Sequence, residues 1–162
     1  MTTPTEARRQ QEQATLLLRL RQLRQQQAET QLRREREAHA RALAAVRAAH
    51  ARVAHERTAQ ARLLQALGEH PGLPRVARFA EARREAVAEL LERAEYALID
   101  DEEALNDADR ALGHAGRALR QAQARCEAAV QALQRAQAGH RRACEQQAER
   151  EDPPRARPAG AP

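Results

Sequence analysis

Six histidines, two cysteines and a run of four consecutive acids are the residues of this chain best equipped for chemistry. A helical zinc site sets two histidines four residues apart with a glutamate beside the first. His39, His50, His55, His70, His114 and His140 contain no such pair, and His50 and His55 point to different faces of a helix. Asp100-Asp101-Glu102-Glu103 offers carboxylates to a cation, but without the loop and turn glycine that calcium coordination uses. A solvated acidic face is the simpler reading. Cys126 and Cys144 would stand about 27 Å apart on one helix, too far to bridge within it. Two thiols do not make a metal site, and Cys126 falls on a leucine position of a repeat, where it reads as a small packed hydrophobe and not a nucleophile. The Gly68 to Gly72 stretch carries prolines and has no following Lys-Ser or Lys-Thr, so no phosphate loop is legible. The sequence therefore points to no catalytic, cofactor-binding or metal-ligating residue, to no small-molecule substrate, and to a protein that is not an enzyme.

The elements that would position these residues are helices. Of 162 residues only 1% are aromatic, leaving Phe79 and Tyr96 as the rings available to a thick core. The apolar share of 42% is mostly alanine with scattered leucine, and a further 31% is charged, a composition of coiled coils. All 28 basic residues are arginine, a bias that coding composition explains as readily as guanidinium chemistry does. The net charge of +5 permits loose attraction to polyanions without requiring it.

Thr3, Pro4 and Glu6 supply a capping hydroxyl, a proline for the first helical position and a carboxylate that reaches back, so a helix is expected over residues 4–67. Gly68 can take a left-handed cap conformation, and Pro71, Gly72 and Pro74 forbid continuation, which makes 68–74 a turn. A second helix follows over 75–150, where Gly113, Gly116 and Gly139 each cost about 1 kcal/mol and soften the helix without breaking it. Residues 151–162, rich in proline and with nothing to bury, read as a disordered tail.

The second helix repeats Leu91, Leu98, Leu105, Leu112, Leu119, Cys126 and Leu133 every seven residues, with Ala94, Asp101, Ala108, Ala115, Ala122, Ala129, Ala136 and Ala143 three positions on. This is a heptad seam narrow enough for a close antiparallel neighbour. Asp101 interrupts its alanines, which points either to a polar contact with an arginine of the first helix or to a partner footprint, the first being the favoured reading. The partner stripe is Leu32, Leu43, Val46, Val53, Leu64 and Leu67, with Leu16, Leu20 and Leu23 in a second register; a shift between Leu23 and Leu32 is implied. Charge supports the same pairing. With the turn at Pro71, the acids from Glu81 to Asp109 lie beside residues 33–61, where Arg33, Arg34, Arg36, Arg41, Arg47, Arg52 and Arg57 outnumber Glu35, Glu37 and Glu56. The expected fold class is all-α, two long helices forming an antiparallel coiled-coil hairpin, monomeric because the seam closes within the chain.

The end carrying both termini would be basic, with Arg8, Arg9, Arg19, Arg21, Arg24, Arg141 and Arg142 as candidate partner-binding residues. Nucleic acid is a poor fit, since the stacking rings that grip single strands are missing and no duplex-reading module is present. The longest early apolar run, Leu16-Leu17-Leu18, is far too short for a signal peptide or a spanning segment, so a cytoplasmic protein with no membrane insertion is expected.

The leucine-alanine seam from Leu91 to Leu133, the helix from Pro4 to Leu67 and the Gly68-Glu69-His70-Pro71-Gly72-Leu73-Pro74 turn together resemble the FliJ/YscO-like stalk proteins of type III secretion. The likeness is architectural and covers nearly the whole chain. It implies a coiled-coil stalk that catalyses nothing, inserts its terminal end into a hexameric export ATPase and reaches toward an export-gate component, peripheral to a membrane secretion apparatus. A generic coiled-coil adaptor or scaffold that oligomerises through the heptad seam is the alternative.

Overall fold

The computed structural model describes residues 3–69 and 74–151, with side chains from Arg78 onward in the second stretch. Two helices account for nearly all of it, α1 over Pro4–Glu69 and α2 over Pro74–Glu151, packed against each other as an antiparallel helical hairpin.

The start of α1 is the capping box expected from Thr3 and Glu6. The Glu6 amide donates to Thr3 Oγ1 at 3.3 Å, the Thr3 amide donates to Glu6 Oε2 at 3.0 Å, and the Ala7 amide closes on the Thr3 carbonyl at 3.0 Å. Along the helix, Thr15, Thr30 and Thr58 each donate their hydroxyl to the carbonyl four residues back, which satisfies these polar groups without interrupting the helix. Pairs four residues apart, such as Arg8 with Glu12 and Glu89 with Arg93, add the weak local support that polar helix surfaces rely on.

Gly68 does not end α1 in a left-handed cap. It is helical, no described glycine has positive φ, and the helix continues to Glu69. The missing Cβ permits a left-handed cap without requiring one, and here Gly68 extends the helix at glycine's modest entropic cost. α2 likewise passes through Gly113, Gly116 and Gly139 unbroken. The expected boundaries at 67, 75 and 150 fall within the one or two residues over which helix ends vary. Of the expected turn, residues 70–73 lie outside the described residues, as do 152–162 of the expected tail.

The chain divides into two compact units, one formed by residues 31–116 and the other by 1–30 with 117–162. In the first, Val46, Ala49, Val53, Val87 and Ala115 are buried, flanked by half-buried Leu32, Leu43, Leu91, Leu98, Leu105 and Leu112. In the second, Ala7, Ala129 and Ala143 are buried, and Leu119, Cys126 and Leu133 are half-buried. Among the described residues, no buried side chain is larger than valine. The cause is geometric: a two-helix seam is one layer deep, so alanine and valine at its centre disappear while leucine reaches past the contact into water. A half-buried leucine then contributes about 1 kcal/mol, well below the 1.5–3 kcal/mol of full burial.

The expected register shift in α1 is absent. Its inner row runs through Ala7, Gln11, Ala14, Leu18, Arg21, Gln25, Ala28, Leu32, Glu35, His39, Ala42, Val46, Ala49, Val53, Glu56, Gln60, Leu63 and Leu67, all buried or half-buried, in an unbroken alternation of three and four. Leu16, Leu20 and Leu23 are exposed instead, and so is Leu64, whose inner place is taken by Leu63. Holding one heptad frame keeps α1 on α2 without a local rotation. The long polar residues in the row are tolerated because their stems cover the shallow seam while their heads reach solvent.

Candidate functional site

Four contacts between α1 and α2 define the geometry of the acidic segment. Arg57 Nη2 donates to Glu95 Oε1 at 2.8 Å, Arg52 Nη2 lies 3.5 Å from Asp101 Oδ2, His50 Nε2 lies 3.5 Å from Glu102 Oε1, and His39 Nε2 lies 2.8 Å from Asp109 Oδ1. Numbers fall on one helix as they rise on the other, which is the antiparallel pairing read directly from side chains. Asp101 meets an arginine of α1, as its place among the seam alanines led one to expect.

The pairing register differs from the one a turn centred on Pro71 implies. That turn would set Glu95 opposite Arg47, whereas its partner is Arg57. Arginines recur at 41, 47, 52, 57 and 62, so the acidic face finds a basic neighbour in either register and charge alone does not choose. Burial of Val46, Ala49 and Val53 along the seam does. All four pairs are substantially solvent-accessible, so each is worth no more than about 1 kcal/mol.

The candidate partner-binding arginines fall in the unit that contains both helix termini. Arg8, Arg9, Arg19, Arg24, Arg141 and Arg142 are exposed, while Arg21 occupies the inner row and is half-buried. Arg8 is engaged by Glu12 at 3.1 Å. Arg21, Arg24 and Arg125 border a shallow groove also lined by Gln27, Ala28, Ala118, Gln121 and Ala122. At the other unit's α1–α2 groove, Leu63 and Leu64 lie beside Glu81, Arg84 and Glu85.

The chemistry-bearing residues are scattered. Cys126 is half-buried on the seam; Cys144 is exposed with its Sγ 3.6 Å from His140 Nε2, one helical turn away. No group of three metal-ligating side chains occurs among the described residues. The resolved shift in acidity belongs to Glu6, whose carboxyl is held below the ordinary glutamate value first by the backbone amide of Thr3 and then by its hydroxyl. That is helix capping, not catalysis. No described helix is long and apolar enough to cross a membrane.

Sequence reading missed the outward leucines, which were assigned to the seam. Stepping back from Leu32 in sevens gives Gln25, Leu18 and Gln11, a row that leaves Leu16, Leu20 and Leu23 on the opposite side, so the signal was present in the spacing. Comparison with known proteins adds no relative: no family model, curated protein or solved structure matches the chain.

Proposed function

We propose that this protein is a non-catalytic coiled-coil stalk that holds or couples partner proteins, in its sharpest form the stalk of a type III export ATPase. The observation that carries the reading is the closed hairpin: the apolar seam is spent between α1 and α2, with Arg57–Glu95 and Arg52–Asp101 along its flank, so the outer faces of both helices are left for partners. A long helix pair with a thin core is suited to transmitting position between bodies and poorly suited to enclosing a substrate. The exposed arginines of the terminal unit are the surface that would engage a polar or acidic lumen of a hexameric ring.

The test is co-purification of the tagged full chain from its native cell at low salt, scored for a hexameric export ATPase and an export-gate protein among the bound partners. Binding that weakens as salt rises, together with a change in ATP turnover on adding the hairpin, is the expected outcome. Absence of any association at low salt sinks the stalk reading and leaves the adaptor alternative, for which oligomers formed through the seam would have to open the α1–α2 pairing.

A further inference from the structure

The face of α1 turned away from its inner row carries a second leucine stripe. Leu16, Leu20 and Leu23 are spaced four and three residues apart, and at about 100° per residue they fall on one line along the helix. They are 63%, 44% and 57% exposed. Arg19 and Arg24 border this line on its two sides, exposed and without an ion pair among the described residues. Leucines at this spacing are the knobs of a helix–helix contact, and guanidinium groups on both flanks select a partner helix that crosses the stripe and carries carboxylates at the two ends of its own apolar line.

The chain itself presents such a surface. On the outer face of α2, Tyr96 and Ile99 are 62% and 50% exposed, and Glu92 and Glu103 extend the same line one turn to either side. Both glutamates are exposed and make no ion pair among the described residues. We propose that the occupant of the leucine stripe is a second copy of this chain: Leu16, Leu20 and Leu23 of one copy pack on Tyr96 and Ile99 of the next, with Arg19 and Arg24 against Glu92 and Glu103. Two leucine stripes facing each other would instead bring the arginines of both copies together, a like-charge contact that disfavours the symmetric arrangement. Each contact therefore joins unlike patches, the leucine stripe of one copy with the acidic line of another. A handful of apolar side chains makes a small interface, so the association is weak and depends on protein concentration and salt. This goes beyond the stalk reading, and its assay contains no ATPase, so either can fail while the other stands.

Sedimentation velocity of the full chain tests it, from roughly 10 μM to roughly 1 mM protein, the range in which contacts this small are populated. In about 0.05 M salt the mean mass should climb with concentration; in about 0.5 M salt, where screening is several-fold shorter in range, it should return to one chain. Two charge-reversed forms, Arg19→Glu with Arg24→Glu and Glu92→Arg with Glu103→Arg, should each lose association about tenfold or more when alone, since each tenfold is about 1.4 kcal/mol. An equimolar mixture of the two should recover it, because each form then offers what the other lacks. The Leu20→Ser variant should stay a single chain, and since all these side chains face outward, helical content should match the parent by circular dichroism. Three results overturn the proposal: a parent that stays one chain at low salt throughout, an arginine-reversed form that associates as well as the parent, or a mixture that fails to recover.

Discussion

Gly139 sits in α2 with open space where a Cβ would be and no left-handed backbone to protect. Gly139→Ala should therefore stabilise the hairpin by about 0.5–1 kcal/mol, mostly by narrowing the unfolded ensemble, and raise the thermal midpoint by a few degrees in circular dichroism. Gln25 occupies an inner position of α1 with its amide directed to Glu29 on the helix surface. Gln25→Leu should gain roughly 1 kcal/mol from apolar burial, read as a higher denaturant midpoint; a lower midpoint would contradict the inner row as drawn. Glu6 behaves oppositely with pH. Its folded carboxyl is more acidic than the unfolded one, so its contribution to the α1 start is complete above the ordinary glutamate range and is lost as pH falls through the lowered value. The protection of the Thr3 and Glu6 amides, measured as exchange relative to the intrinsic rate at each pH, should fall across that acidic window and hold steady at neutral pH.

At the scale of the elements, two apolar rows and a ladder of opposite charges hold α1 to α2, and they do different work. The ladder contributes little net energy, because its members stand in water, and with arginines recurring along α1 it leaves the choice of register to the apolar rows. Glu95→Arg should destabilise the hairpin by about 0.5–1 kcal/mol by setting like charges against Arg57, and adding Arg57→Glu should recover most of that loss. A double-mutant cycle at low salt measures the coupling, and added salt should shrink it. The valine and alanine cluster at Val46, Ala49 and Val53 behaves differently. Val53→Ala should cost about 1–2 kcal/mol with little salt dependence, because what is lost is contact area and not charge.

For the whole molecule, the decisive question is whether the seam closes within one polypeptide. With Cys126 and Cys144 changed to serine, Arg57→Cys and Glu95→Cys place two thiols at an observed contact between the helices. A short bismaleimide should join them within single chains, giving a cross-linked product at monomer mass on a denaturing gel. A product mainly of dimer mass would show the seam pairing between copies and would favour the adaptor reading.

The sequence by itself determined the two helices, their continuity through Gly113, Gly116 and Gly139, the capping box at Thr3 and the α2 seam from Leu91 to Leu133. These follow from local rules, since hydrogen bonds within a helix and a seven-residue spacing are set by neighbours a turn away. The tertiary structure alone decided which arginine faces which acid and that Gly68 stays helical, while the outward Leu16, Leu20 and Leu23 and the inward Gln25 and Glu56 follow a seven-residue spacing from Leu32 that the structure made visible. Of the α1 stripe, Leu32, Val46, Val53 and Leu67 do lie on the inner row, whereas Leu64 and the second register of Leu16, Leu20 and Leu23 are exposed, because an apolar side chain by itself does not say which face it occupies. What fixes the inner row is the requirement that one uninterrupted heptad frame stay in contact along α2, and a shallow interface enforces that geometry even where it places polar side chains inside and apolar ones in water.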